Sequence, residues 1–412
     1  MTKKIAAIIF IFICTSAAWI LLGGAMTIRT EDQDELLKGR VVSLWGKPQK
    51  QKAPTLEIDK TTLRSYDVIS DGKVGKEMRE YVETFPASLA SSKIDVALDL
   101  EHRKKGLLWY STYRVVFAGE YSFTNTEDSA QDYRFNYEFP AADGIYDSFV
   151  VAIDGKVLPD VKASNGQIKY PVRLEAGASC KIRISYESQG LDEWWYEFGQ
   201  DVTQIRDFAL NMTTDFEDFD FPENSMSPSS LEYSGSGAKL NWHYSNLLSG
   251  AQIGMMMPQK INPGPFVARV SFFAPVSLFM FFFLMLMIAT LKNVNIHPMN
   301  YFFLAAAFFS FHLLMAYLVD HIDIGLAFFI SAAVSIFLVI SYMRLVVGAR
   351  FALVETGLSQ LVYLVLFSYA FFLEGYTGLT ITITCIVTLF VVMMTTGRVD
   401  WGKLSERKET GS

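Results

Sequence analysis

The chain has 412 residues, 51% of them hydrophobic, and a formal net charge of −7. A soluble chain is about 45–50% apolar, so the excess is small on average and must be concentrated locally. Residues 29–265 hold 26 basic and 36 acidic side chains, and the rest of the chain holds 10 and 7. An acidic polar block with basic flanks excludes nucleic acid as a partner and disfavours a block lying flat on anionic lipid.

In chain order, the first element is an apolar run, Ile5 to Ile28, without a charged residue. At 1.5 Å per residue it crosses roughly 30 Å of hydrocarbon. Lys3 and Lys4 ahead of it also resemble the start of a secretory signal, but the run is longer than the 7–15 residues of a signal core, and it reads as a retained anchor. Residues 29–46 read as a helix with Leu37, Val41, Leu44 and Trp45 on one face, stopped by Gly46 and Pro48.

The polar block then turns to strand patterns. Tyr113–Phe123, Tyr133–Phe139, Ile168–Leu174 and Lys181–Tyr186 alternate or are rich in aromatics, and residues 205–221 and 239–257 add more. Asp154-Gly155 and Asn165-Gly166 are two-residue hairpin signals. An intervening helix is expected over residues 74–91. The count of short strands favours a sandwich-like domain, or two of them. Cys180 is the single cysteine of this block, so no internal disulfide supports it.

Pro258–Pro265 reads as a stiff lead into five apolar segments: Val270–Leu291, Asn300–Val319, Ile324–Met343, Phe351–Leu373 and Gly375–Gly397. The expected architecture is a mixed membrane protein: six transmembrane helices, one N-terminal and five C-terminal, with a large inserted β-rich domain. The expected domains are an anchor over 1–28, a β-rich domain over 29–265, a bundle over 266–397 and a tail over 398–412. Lys292, Arg344, Arg350 and the tail basic residues fall on one side. Asp320, Asp323 and Glu374 fall on the other. By the positive-inside bias both termini are expected in the cytoplasm and the polar block outside.

Motifs for chemistry are sparse. There is no nucleophile elbow, phosphate loop, zinc-protease pattern or Cys/His cluster, so no catalytic, cofactor-binding or metal residue is assigned. The Asp215–Phe221 segment alternates acids with phenylalanines and reads as a strand edge rather than a calcium loop. Glu193-Trp194-Trp195-Tyr196 and Trp109-Tyr110 read as core or interfacial aromatics, and His102-Arg103-Lys104-Lys105 as a solvated turn. Inside the apolar segments two ionisable residues stand out. His312 lies mid-segment, where an ionisable group marks a functional candidate. Glu355 is expected to pair with Arg350 or Arg344. Ala327, Ser331 and Ser335 form a small-residue seam that lets a neighbouring helix approach closely. The threonines of the last segment are expected to bond back to their own helix.

These pieces resemble the CreD family of bacterial inner-membrane proteins. Ser43-Leu44-Trp45-Gly46-Lys47-Pro48-Gln49 followed by Ala53-Pro54-Thr55-Leu56 is similar to its Trp-Gly-x-x-Gln stretch and the strand after it. His297-Pro298-Met299-Asn300-Tyr301, with Leu313-Leu314 and Asp320-His321, is similar to its third-helix signature, and Arg398-Val399-Asp400-Trp401 to its closing segment. Ala53 stands where the family usually has Gly, and Asp320 where it tends to have Glu. The resemblance implies an inner-membrane location and a role in cell-envelope integrity, with no reaction attached. A non-enzymatic protein without cofactors is therefore expected, with membrane lipids and envelope proteins as partners. Its oligomeric state is open. A transporter or lipid-handling protein using a path between the C-terminal helices is the alternative, and a sensor acting through a partner is a further one.

Overall fold

A computed structural model describes residues 2–70, 73–106, 108–159, 161–198 and 203–397. The expected tail over 398–412, with Arg398 and Trp401, lies outside the described residues. Contacts divide the chain into a helical unit, up to Leu36 and from Ile261 on, and a strand unit, Leu37–Lys105 with Trp109–Lys260.

The first helix, α1 (Thr2–Trp45), is continuous, so the polar residues after Ile28 extend the apolar helix instead of ending it. Within its last turns Val41 is buried while Leu44 is exposed. Gly46 ends the helix at a φ of 100°. A Cβ there would lie 2.4 Å from the Gln189 carbonyl oxygen, so only glycine fits this close approach.

Sixteen strands follow among the described residues. They are β1 (Gln49–Lys52), β2 (Thr55–Ser70), β3 (Lys73–Pro86), β4 (Ser88–Lys105), β5 (Leu108–Thr124), β6 (Gln131–Glu138), β7 (Tyr146–Ile153) and β8 (Lys156–Val157). Then come β9 (Ala163–Ser164), β10 (Gln167–Leu174), β11 (Ser179–Leu191), β12 (Glu193–Glu197), β13 (Thr203–Thr214), β14 (Ser230–Ser234), β15 (Gly237–Ser249) and β16 (Ile253–Met256). They build an eight-stranded sheet in the order β14-β15-β13-β4-β5-β11-β7-β8, a five-stranded sheet β3-β2-β6-β10-β9 and a three-stranded sheet β1-β12-β16. Strict alternation along β5 sends Tyr113, Val115, Phe117, Tyr121 and Phe123 to one buried face, and β11 answers with Ile182, Ile184 and Tyr186. The two smaller sheets pack over this face. Tyr137 of β6 meets Phe149 of β7, and Tyr196 of β12 meets Phe208 of β13. All three sheets share one apolar core and form a sandwich-like domain. The hairpin turns fall as expected, with positive φ at Asp154-Gly155 and Asn165-Gly166.

Two expectations are corrected in this unit. Residues 74–91 are not a helix: they form β3 and the start of β4, and β3 pairs with β2 over fourteen residue pairs. Its Lys, Glu, Met and Arg content suits a helix locally, but pairing with β2 overrides that preference. The Asp215–Phe221 segment is a loop with a single bridge at Asp220, not a strand edge. Phe216 is buried in the core, with Phe219 and Phe221 packed against it. Asp215 accepts the Leu100 amide at 2.8 Å.

The helical unit contains six helices long and apolar enough to span a bilayer. After α1 these are α2 (Pro263–Leu291), α3 (Pro298–Leu318), α4 (Ile324–Val347), α5 (Ala349–Phe372) and α6 (Thr377–Thr396). The expected proline-rich lead is shorter than the sequence suggested. Pro263 begins α2, where its missing N–H costs nothing, and Arg269 lies on an exposed face of that helix. Trp19, Phe281, Phe308, Phe311, Phe328 and Met343 fill the bundle core.

Candidate functional site

The polar interior of the bundle is organised by α5, which departs into π-helical geometry twice. π-helical turns occupy Ala352–Thr356 and Leu361–Leu366. Such turns rotate the following side chains and recur at functional sites. Between them sits Gln360, fully buried. Its Nε2 donates to Ser335 Oγ at 2.8 Å, and Ser335 Oγ donates to the Ala307 carbonyl at 2.6 Å. One polar chain thus ties α5, α4 and α3 together. The seam residues Ala327, Ser331 and Ser335 are all buried on α4. Ser331 Oγ and Gln360 Oε1 have no protein partner. Gln360 escapes a scan for charged residues because its amide is neutral; an uncharged polar side chain in an apolar segment was the signal to follow.

His312 is buried among rings. Its Nδ1 lies 3.3 Å from the Phe308 carbonyl, and Trp19 and Phe311 stand perpendicular to it at 5.8 and 4.9 Å. Its Nε2 and the Trp19 Nε1 have no protein partner. Because the surroundings are aromatic, the imidazole is packed by them rather than lining a polar path.

Glu355 pairs through Oε1 with Lys292, which follows the last residue of α2, and not with the expected Arg350 or Arg344. Both arginines are exposed, and Lys292 reaches the carboxylate instead. Glu355 Oε2 is buried without a protein partner. Glu355 and Lys292 lie at the end of a 610 Å³ groove between α2, α5 and α6. Its far end holds Tyr363, whose hydroxyl bonds Thr388 Oγ1, and whose carbonyl accepts from Ser277. The α6 threonines bond back to their own helix, as at Thr382, Thr384 and Thr388.

The two ends of the bundle differ in charge. At one end Lys4 donates to Asn295 at 3.0 Å and Lys292 meets Glu355. At the other Arg29 meets Asp320 at 2.7 Å. The His297–Tyr301 motif has local physical causes. His297 Nδ1 caps the Met299 amide, Pro298 opens α3, Asn300 accepts from Tyr342 of α4 at 2.8 Å, and Tyr301 is buried.

In the strand unit the Gln49-Lys50-Gln51 run, which starts at the glutamine of the Trp-Gly-x-x-Gln stretch, is a polar hub. Gln51 Oε1 accepts from Tyr137 at 3.1 Å and from Tyr186 at 2.8 Å. Gln49 Nε2 donates to Ser188 Oγ and to the Gln189 carbonyl, both at 2.9 Å. Burial lifts the phenols of Tyr113, Tyr121, Tyr137 and Tyr186 well above their usual 10, and that of Tyr146 to about 12. Burial likewise lifts the Cys180 thiol to about 11, which keeps it protonated and inert. Trp194 is core, as expected. The basic run near residue 102 packs on aromatics, with Arg103 and Lys105 over Trp45 at 5.3 and 5.7 Å. Among the described residues, no group of three or more His, Cys, Asp or Glu side chains is placed to hold a metal.

Six apolar helices, one before and five after a large strand-built insertion, define a polytopic membrane protein. The sequence profile of the family described as "Inner membrane protein CreD" matches residues 211–402, from within β13 past the last helix. Over that range the chain is similar to the CreD family, in agreement with the motifs at His297 and Arg398, while the motif at Gly46 lies outside the matched residues. No curated protein matches the chain. Among solved structures, a putative nutrient binding protein from Legionella pneumophila is similar at 11% identity over 57% of this chain and 76% of its own. Its TM-score of 0.32 is too low to carry a statement about fold or function.

Proposed function

We propose that this protein supports cell-envelope integrity without catalysing a reaction, holding its strand domain in the periplasm to bind envelope components or partner proteins. The observation that carries the reading is the joint occurrence of the CreD match over residues 211–402 and a large, separately cored strand domain between the first and second spans. The orientation is supported by the charge of the bundle ends. Lys4, Lys292, Arg344 and Arg350 belong to the end that the positive-inside bias assigns to the cytoplasm.

Orientation is tested by cysteine labelling with an impermeant maleimide in spheroplasts. Lys156→Cys, on the exposed β7–β8 hairpin, is expected to label in intact cells, and Asn293→Cys, in the α2–α3 loop, only after lysis. The reverse pattern overturns the orientation. Binding is tested by crosslinking in membranes followed by mass spectrometry. A reproducible envelope lipid or protein joined to the strand domain is the expected result. Its absence, together with unchanged envelope tolerance in cells lacking the protein, overturns the role.

A second reading, a transporter or lipid-handling protein, draws support from the π-turns of α5 and the unpartnered polar atom of Gln360. Substrate movement into reconstituted vesicles that is abolished by Gln360→Leu would favour it over the first.

A further inference from the structure

We infer that the groove between α2, α5 and α6 is a specific binding site for a phospholipid whose headgroup carries both a phosphate and a primary ammonium. The site is separate from the strand-domain binding proposed above.

The groove is polar at one end and apolar along its length. At 610 Å³ it falls within the roughly 300–1,000 Å³ of small-molecule sites. Leu358, Val362, Val387 and Val391 line its middle. The polar groups at its inner end, Tyr363 and Thr388, already bond each other, so that end asks for an apolar chain. From Glu355 to Tyr363 is eight residues, about 12 Å of helix at 1.5 Å each. That is close to the ~15 Å half-thickness of a ~30 Å hydrocarbon core. The groove therefore spans one leaflet, with its ion pair at headgroup depth.

Charge complementarity selects the headgroup. Lys292 Nζ spends one of its three donors on Glu355 Oε1, and its side chain is half exposed. It can therefore donate to a phosphate as well. Glu355 lines the groove, its side chain is 90% buried, and its Oε2 has no protein partner. A buried carboxylate oxygen needs a donor. A primary ammonium placed one headgroup length from its phosphate supplies it. A choline headgroup has no N–H to donate. A glycerol headgroup brings a net negative charge beside the carboxylate. A second groove of 450 Å³, between α1 and α2, is lined only by apolar side chains such as Ile5, Ile9, Phe12 and Phe283. Lipid there has no headgroup anchor and serves as an internal reference.

The test uses the full-length protein in detergent. It is stripped of lipid and offered equal amounts of ethanolamine, choline and glycerol phospholipids with identical chains, and retained lipid is read by native mass spectrometry. The ethanolamine lipid is expected to be retained about tenfold over the choline lipid, the factor of one charge-assisted hydrogen bond. Glu355→Gln is expected to bring the preference to near unity. Val391→Trp, which fills the groove from its lipid-facing side, is expected to leave only lipid without headgroup preference. Equal retention of the three headgroups by the unmodified protein overturns the assignment without any variant having to fold. So does a preference that survives in either variant with an unchanged melting temperature. A gain in choline or glycerol lipid over ethanolamine lipid overturns it too.

Discussion

The strand unit and the helical unit differ in how far their central buried polar groups are satisfied. In the strand unit the buried Gln51 carbonyl serves two tyrosine hydroxyls, and Asn125 Nδ2 donates to the carbonyls of Ser129, Leu174 and Glu175. Its polar groups hold the sheets in register. In the helical unit the buried side chains of Ser331, Gln360, Glu355 and His312 each keep one polar atom without a protein partner. Backbone groups in a membrane helix are satisfied within the helix, so the fold does not depend on such side chains. The lesson is one of degree: Gln51 and Asn125 spend their bonds on holding the sheets, although Gln49 Oε1 and Asn136 Oδ1 there also lack a protein partner, whereas Gln360 links three helices and still keeps a free oxygen.

The contrast breaks most readily at Gln51. Gln51→Leu leaves Tyr137 and Tyr186 without their acceptor and is expected to lower the stability of the strand unit by about 2–4 kcal/mol. Near-ultraviolet circular dichroism of its tyrosines during denaturant unfolding measures this, and a change under about 1 kcal/mol would mean the hub is not structural. Alkaline pH acts on the same core with a smaller effect. The buried phenols have folded pKa values raised above 10. Their contribution is complete below pH 10 and is lost as pH rises through the folded values, because the unfolded chain ionises first. The strand-unit melting temperature should therefore be level to about pH 9.5 and fall from pH 10 toward pH 12. A flat profile across that window would contradict the burial. The smallest effect is expected in the bundle. Gln360→Leu removes one interhelical bond and one unpartnered oxygen together, and should change stability by less than about 1 kcal/mol. A loss above about 2 kcal/mol, read by thermal unfolding in detergent, would place Gln360 with Gln51 as a structural group and erase the contrast.

Most of the membrane architecture was legible in the sequence because hydrocarbon imposes a length and composition rule on every span. The five C-terminal helices fall within a few residues of their apolar runs, and the largest miss was at Pro263–Arg269. There a proline run read as a linker supplies the first turn of α2, and an exposed arginine is carried on its face. The strands with alternating patterns, β5, β6, β10 and β11, were legible for a similar reason. β3 was not, since its Lys- and Glu-containing sequence lacks alternation and only a distant partner defines it. The site residues divide in the same way. His312 and the Ala327–Ser331–Ser335 seam were visible as residue type and spacing. Lys292 as the partner of Glu355, Gln360 as the link between helices and Gln51 as an acceptor depend on which elements meet, and no local spacing encodes that.

The three-stranded sheet bears on how the chain comes into being. β1 lies parallel to β12, and β12 pairs in turn with β16, so the first strand made belongs to a sheet that is complete only with the sixteenth. At 5–20 residues per second, the roughly 200 residues between β1 and β16 take about 10–40 s to synthesise. Until β12 is made, Gln49 and Gln51 stand on a strand whose sheet neighbour does not yet exist, and the shared core cannot close before β16 follows. The strand domain is thus obliged to fold after its own synthesis, as α2 is being made. During that time its long unpaired strands need shielding from one another, so a delay at this stage will be felt as aggregation rather than as a folded but inactive protein.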